Sequence, residues 1–391
     1  MKAKKITFEN FRNLTAAEVE FSPGVNVLWG QNAQGKSNIL EGIYYFSRGK
    51  SFRGVPDKLL VKHGADFGSA ALTCRADGDQ YDTVLEVLIP RQGRKRLSRG
   101  GAPLSGVKEL VGSFRAVLFC PEHLTLVSGS PAERRNFLDV ALAQLSPRYV
   151  SALTSYTKVL AERNALLKQA ADGLRVESCQ WEIYAEQLAR SGAFIAAARA
   201  AYVHRLSLHV QQCFADMTGG RESPALVYAG IGAPLCNLPK TDGALPETVS
   251  RPSPALAQAI YDAMQADVGR EIRAGTTLHG IHRDDVEITL NGDAARLFAS
   301  QGQTRSLALA MKLGEGALAR SVGGEEPVYL LDDVFSELDG ERRSYLLSAL
   351  GERQVIITSC EPDTAVSRLP GVTMVEVENG TVRPAVDNKE T

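Results

Sequence analysis

The sequence predicts an α/β protein in two lobes, and three observations lead there. Apolar residues alternate in the manner of β-structure over the front of the chain and recur at three- and four-residue steps through its middle. They form short, continuous apolar strands again towards the back. A glycine-rich loop directly follows one short strand, and a pair of aspartates ends another. There are no internal repeats, and no heptad run is long enough for an extended coiled coil.

Element by element, Ile6, Phe8 and Phe11 open the β-rich front, and Val25, Val27 and Leu28 form a short strand. A further β-rich stretch covers 67–119, with Tyr81, Val84, Leu85, Val87 and Ile89 before a Gln92-Gly93 turn. Helices then begin at three Ser-Pro steps. Ser130-Pro131 is followed by Glu133, the spacing of a capping box. Ser146-Pro147 opens a helix carrying Tyr149, Leu153, Tyr156, Leu160 and Leu167, which ends near Gly173. Ser253-Pro254 opens another, ending near Gly275. Between them Trp181, Tyr184, Leu188, Ile195, Tyr202 and Leu206 mark one long helix or a pair broken around Gly192. Residues 218–252 are rich in Pro and Gly and aperiodic, so they read as a loop or connection. Val286, Ile288 and Leu290 before Asn291-Gly292 return to β-structure, followed by a helix over 303–320 and strands at Val328–Leu331 and Val355–Ile357, the latter read as the last strand.

Composition bounds the function. A chain of 391 residues can build two or three compact lobes. Its 44% hydrophobic and 23% charged residues are those of a globular protein. Lys and Arg total 44 against 45 Asp and Glu, a net charge of −1, so a nucleic acid or an anionic lipid would have to meet a local patch. No apolar run approaches the ~18–20 residues of a membrane span. The start, MKAKKITFENFRN, carries charges where a signal peptide needs an apolar core. A cytoplasmic location without a membrane partner is expected. The six cysteines, Cys74, Cys120, Cys179, Cys213, Cys236 and Cys360, form no close pair and predict no zinc site.

Residues 30–37 read GQNAQGKS, a complete G-x-x-x-x-G-K-[ST], placed between the strand Val25–Trp29 and the helical stretch Asn38–Phe46. Gly30 and Gly35 let the backbone curl so that the N–H groups of Gln31, Asn32, Ala33 and Gln34 face phosphate oxygens. Lys36 reaches the β- and γ-phosphates, and Ser37 supplies an oxygen to Mg²⁺. Such a loop needs an acid on a neighbouring strand, and Leu330-Leu331-Asp332-Asp333 provides two. If successive strand side chains diverge, Asp332 holds the metal and Asp333 faces the attacking water as general base. A solvated acidic loop is the bland alternative, since 325–341 holds seven acids and no base; the apolar strand before the pair argues against it. Guanine recognition would want Asn-Lys-x-Asp, and Asn388-Lys389-Glu390-Thr391 lacks the Asp.

Between these motifs stands Ser300-Gln301-Gly302-Gln303, followed by the helical stretch Thr304–Arg320. A hydroxyl and a glycine N–H at a helix start make a second anion site, although a plain helix cap would look the same. The order of phosphate loop, long insertion, S-x-G-Q, paired acids and Ser336-Glu337-Leu338-Asp339 resembles the ABC-type ATPase head. More specifically, the chain resembles the RecF family of bacterial recombination-repair proteins, which is related to SMC heads. Glu9–Asn13, GQNAQGKSN at 30–38, Lys50–Arg53, PEHLTLVSGSPAERRNFLD at 121–139, His282–Asp285 and LLDDVFSELDGERR at 330–343 carry the likeness, essentially end to end. The loop near 218–252 and the last dozen or so residues carry none.

The resemblance implies a two-lobed ABC/SMC-type ATPase head with a short helical arm: residues 1–142 with 316–391 as the ATPase lobe, and 143–315 as the arm lobe with the signature loop. It implies ATP-dependent homodimerisation in which Ser300, Gly302 and Gln303 act on the partner's nucleotide. It also implies binding to single-stranded, gapped or junction DNA, slow ATP hydrolysis, and cooperation with RecR and RecO in loading RecA, with induction of the SOS response. Arg12, Asn32 and Asn38 resemble residues around the nucleotide. Asp333 stands where the broader ABC pattern has Glu, one methylene longer, so slow turnover is expected. The usual switch His is replaced by Thr358-Ser359, and Glu122 is a candidate for the Q-loop position.

For DNA, Arg91, Arg94, Lys95, Arg96 and Arg99 put five cations and no acid in a predicted hairpin, which suits contact with phosphates rather than bases. Arg48, Lys50 and Arg53 with Phe52 form a second patch; a solvated surface is the alternative for either. Arg134 and Arg135 on the first turns of a capped helix oppose its dipole and need compensation. His282, Asp284 and Asp285 read as a hydrogen-bond network in preference to a metal site. A transporter's ATPase subunit would have a much shorter interval between Lys36 and Ser300, and an SMC-like tether would need hundreds of residues of heptads. Helices of about 25–40 residues reach only some 35–60 Å.

Overall fold

The computed structural model describes residues 1–231, 233, 254–351, 353–361, 366 and 371–384. Cys236, the Ser253 helix start, the Asn388–Thr391 near-match and most of the 218–252 connection lie outside these. Packing divides the chain into two compact units, Met1–Thr125 with Glu315–Thr391, and Leu126–Gly314. The helix Pro131–Leu145 lies in the second of these units.

The first unit holds two sheets. One has the spatial order Thr381–Pro384, Thr373–Glu378, Val25–Trp29, Val355–Ser359, Val328–Asp332, Ala116–Phe119. All its pairings are parallel except that of Thr381–Pro384 with Thr373–Glu378. A parallel sheet covered on both faces requires continuous apolar strands, and Val27, Leu28, Leu330, Leu331, Ile356 and Ile357 are all buried. Two expectations change here. Val355–Ser359 is not the last strand, since a hairpin at 373–384 extends the sheet. The aspartate strand is not the direct neighbour of the phosphate-loop strand either, because Val355–Ser359 lies between them.

The other sheet is antiparallel, in the order Leu14–Glu20, Lys2–Phe11, Phe67–Arg75, Thr83–Pro90, Arg96–Arg99, Ala102–Leu104. Its alternation is clean: Ala70, Leu72, Cys74, Leu85, Val87 and Ile89 point into the core. Gly93, at φ 100°, lies in the turn between Thr83–Pro90 and Arg96–Arg99, so 91–99 forms the expected hairpin.

The second unit is mainly helical. Glu133 accepts from the Ser130 N–H at 2.7 Å at the start of Pro131–Leu145. Ser146 caps Pro147–Ala171 by accepting from the Tyr149 N–H at 3.2 Å. Ser178–Thr218 runs unbroken through Gly192 for 41 residues, because Leu188, Ile195, Tyr202, Leu206, Val210 and Phe214 bury one continuous stripe. Pro254–Ala266 and Val268–Ala274 are separated at Asp267 and end on left-handed Gly275. A three-stranded sheet joins Pro224–Ala229, Asp285–Leu290 and Asp293–Ala294. Its first strand falls inside the stretch expected to be a loop: Leu226 and Tyr228 point inward, and Pro224 hides the alternation at sequence level.

Candidate nucleotide site

The glycine loop leaves the strand Val25–Trp29 at Gly30, whose φ of 149° is open to glycine alone; a Cβ there would overlap the carbonyl oxygen of Val377. Ala33 and Gly35 are left-handed as well, which curls the backbone into the start of helix Lys36–Arg48. That helix carries no acid in its first turn, so its N-terminus keeps its attraction for anions. Lys36 is buried, with Nζ donating to the carbonyls of Gly30 at 2.6 Å and Gln31 at 2.8 Å. A pocket of about 380 Å³ opens here, lined by Asn32 to Asn38 together with Asn13, Arg53, Asp333, Thr358 and Cys360.

Asp332 ends its strand 8% exposed, and its Oδ1 accepts from the Ser37 hydroxyl at 2.7 Å and from the Thr358 hydroxyl at 2.9 Å. Burial pushes its carboxyl above the usual carboxylate range, a rise that those two hydrogen bonds temper. Glu122, from the turn Pro121–Thr125, adds a like charge that pushes the same way. Asp333 does not continue the strand. It is left-handed at φ 51° and caps the short helix Val334–Glu337, so this turn, and not strand alternation, separates the two carboxylates. The Asp333 N–H donates to Thr358 Oγ1 at 2.9 Å, so one threonine fixes both acids. The hydroxyl of Ser37 and the carboxylate of Asp332 converge as hard oxygen donors, a set that suits Mg²⁺.

Arg12 lies beside this pocket and not in its lining. Its Nε and Nη2 make two 2.8 Å bonds to the fully buried carboxylate of Glu41, which also accepts from Ser51. Arg53, expected in a DNA patch, also lines this pocket: its Nη1 donates to Asn38 Oδ1 at 3.0 Å and lies 3.6 Å from Glu41. A second pocket of about 480 Å³ adjoins the first, sharing Asn13, Asn38 and Arg53 and adding Arg12, Lys58, Leu59, Val61, His63 and Arg91, the last of these expected at DNA. Three contributors take roles that the sequence does not assign them, Thr358 being read there only as standing at the switch-His position. Asn13 donates to the Gln34 carbonyl at 3.1 Å and accepts from Asn38 at 2.8 Å, Thr358 holds the acids, and Asn379-Gly380 touches the loop. Asn13 falls within the Glu9–Asn13 stretch that carries the family likeness, and the Val375, Val377, Asn379-Gly380 pattern is a hairpin signal.

In the second unit, Ser300 caps the helix Gln301–Gly323: its hydroxyl accepts from the Gln303 N–H at 3.2 Å, while Gln303 Oε1 accepts from the Ser300 N–H at 2.7 Å. The Gln303 side chain also donates to Glu222. The signature is thus an ordered, capped helix start with Ser300 exposed.

Of the five hairpin cations Arg91, Arg94, Arg96 and Arg99 are exposed and Lys95 is half-buried. Lys95 turns inward, its Nζ bonded to Asp57 at 2.7 Å, Tyr45 at 2.8 Å and the Gly49 carbonyl at 2.5 Å. Arg91 donates to the carbonyls of Ala65 and Lys62, both at 2.7 Å, and Arg99 to Ser113 at 3.1 Å. Arg48 is half-buried, and Lys50 is exposed. Arg134 makes a two-bond pair with Asp285 at 2.7 and 2.9 Å, and Arg135 donates to the Asp284 carbonyl, which supplies the compensation their helix position requires. His282 bonds Tyr156 at 2.8 Å, Asp284 accepts from Tyr228, and the described residues contain no metal-ligand cluster.

A glycine loop curled at a helix N-terminus, with a buried lysine and a serine and an aspartate converging beside it, is the arrangement of a nucleoside-triphosphate site. The class is a phosphate-loop nucleoside triphosphatase head. Residues 2–382 match the RecF/RecN/SMC N-terminal domain. The chain is 34% identical over 383 residues to the DNA replication and repair protein RecF of Clostridium novyi strain NT, covering 98% of this chain and 99% of the relative. It is 35% identical over 390 residues to that of Desulfitobacterium hafniense strain Y51, again 98% and 99%. Among solved structures, the recombination mediator protein RecF of the RecFOR pathway superposes with a TM-score of 0.87 in its ATPrS form and 0.86 in its ATP form, at 31% identity and 98% coverage of this chain. Those matches cover 98% and 97% of the respective RecF chains. An SMC head from Pyrococcus furiosus, at 15% identity and TM-score 0.53, shares the fold over 97% of this chain and 95% of its own. The chain belongs to the RecF family. No helix among the described residues is long and apolar enough to cross a membrane.

Proposed function

We propose that the protein is an ATP-switched DNA clamp of recombinational repair and replication-fork maintenance. The observation that carries this reading is the convergence of Ser37 and Asp332 beside the curled loop. ATP would lay its phosphates along residues 30–37, and its nucleoside in the adjoining pocket beside Arg12 and His63. Ser37 and Asp332 would hold Mg²⁺, which when bound neutralises charge on the β- and γ-oxygens. Asp333, lining the pocket from its left-handed turn, would act as general base towards the attacking water. Its short side chain fits slow hydrolysis, so the ATPase activity is weak and serves release.

The chain's own Ser300, Gly302 and Gln303 would cap the nucleotide of a second copy, making ATP the cement of a homodimer. Closure would then present Arg94 and Arg96, with Arg48 and Lys50, to the backbone of single-stranded, gapped or junction DNA, and RecR- and RecO-like mediators would load RecA there in the SOS response. Sedimentation with and without ATP and gapped DNA tests this. Wild type should dimerise with ATP and the Ser300→Arg variant should not; equal dimerisation of the variant removes the trans role of the signature.

A further inference from the structure

The outer rim of the phosphate loop, at Ala33 and Gln34, is gripped by two turns from opposite ends of the chain. From the first, Asn13 Nδ2 donates to the carbonyls of Gln34 at 3.1 Å and Ala33 at 3.4 Å. From the second, the Gly380 N–H donates to the Gln34 carbonyl at 2.9 Å, and the Asn379 N–H donates to Gln34 Oε1. The same hairpin places the Val377 carbonyl against Gly30, at the other end of the loop. The two turns also touch each other: a Cβ on Gly380, which is buried at φ 73°, would lie 2.6 Å from the Asn13 carbonyl oxygen.

A loop that binds phosphates through its backbone N–H groups must keep them pointing inward, against its own tendency to relax. Gln34 has its backbone carbonyl and its side-chain oxygen both taken from outside the pocket, which leaves its amide side free to face in. We propose that the Asn379-Gly380 turn is a positioning element of the nucleotide site, presetting the curl of residues 30–37 and thereby setting the affinity for the triphosphate. This deepens the nucleotide reading above and rests on it. The turn does not touch the phosphates; it acts through Gln34.

The experiment compares Gly380→Ala with Gly78→Ala. Both place alanine at a left-handed position, but a Cβ on Gly78, at φ 91°, meets nothing within 4 Å. Both variants should lose thermal stability from backbone strain, Gly380→Ala more because its Cβ also meets the Asn13 backbone, whereas only Gly380→Ala should weaken ATP binding in calorimetric titration with Mg²⁺, about tenfold, or about 1.4 kcal/mol. ATP affinity within twofold of wild type in Gly380→Ala would overturn the proposal. If that variant does not fold, Gln34→Ala serves in its place. It should speed hydrogen exchange of the Asn379 amide at least tenfold, and unchanged exchange there would equally overturn it. A wild-type chain that does not bind ATP would instead defeat the nucleotide reading itself.

Discussion

Removing Glu41 should cost the first unit a buried ion pair. Glu41 sits in the middle of helix Lys36–Arg48, fully buried, and answers Arg12 with two 2.8 Å bonds, Ser51 with a third, and Arg53 at 3.6 Å. Truncation to alanine strands a guanidinium. Breaking a buried pair by deleting one partner costs about 3–5 kcal/mol. The Arg12 side chain is 19% exposed and keeps a 3.2 Å bond to the Leu59 carbonyl, so the lower end applies, about 3 kcal/mol. That is a large share of the roughly 5–15 kcal/mol by which a domain is stable. Only Trp29 and Trp181 fluoresce strongly, and Trp29 ends the phosphate-loop strand. Urea unfolding followed by Trp29 emission in a Trp181→Phe background therefore reports on this unit. Glu41→Gln keeps the shape and one acceptor and should fall midway. A loss below about 1 kcal/mol for Glu41→Ala would show that Arg12 and Arg53 find solvent at no cost, and the argument from burial would fail.

The other predictions concern charge. Burial raises the carboxyl of Asp332, so the folded state binds a proton more readily than the unfolded one, and stability falls as pH rises from the unfolded carboxylate range through the folded value. Asp332→Asn should accordingly stabilise the nucleotide-free chain at neutral pH while weakening Mg²⁺-ATP binding; a less stable variant would contradict the sign. His282 is pushed down to about 4 by burial, so its contribution is present above the unfolded value near 6.5 and lost as pH falls from there to about 4. Urea midpoints at pH 7 and pH 5 should differ more in wild type than in His282→Gln, and equal differences would discount the group. Charge reversal at Arg94 and Arg96 should flatten the salt dependence of DNA binding, with the log–log slope falling by up to about 0.9 for each phosphate that is no longer neutralised, and ATP affinity intact. Lys95→Ala should lower stability by removing its Asp57 pair and leave that slope unchanged.

The legible parts of the molecule were those written locally. The glycine loop, its strand and helix, the acid pair and the Ser-Pro helix starts each occupy a few consecutive residues whose chemistry needs no distant partner. What stayed hidden depends on pairing across the chain. Thr358 stands at the switch-His position in the sequence, but its hold on both acids follows from Val355–Ser359 inserting beside the acid strand, and no local pattern states strand order. Asn379-Gly380 matters because its strand pairs with Val25–Trp29. Charge runs were the least informative feature: RQGRKRLSR holds five cations, yet Lys95 faces inward to Asp57, and Arg53 also lines the nucleotide pocket.

The phosphate-loop strand is flanked on both sides by strands from the far end of the chain, with Asn26 bonded to Val355 across 329 positions. On a ribosome adding about 5–20 residues per second, roughly 15–65 s separate the emergence of the two. Until residues 355–378 emerge the loop's strand waits without its neighbours, so nucleotide can reward folding only after that point. Premature termination anywhere before the hairpin at 373–384 would release a product lacking the turn that holds Gln34, however much of the preceding chain had been made.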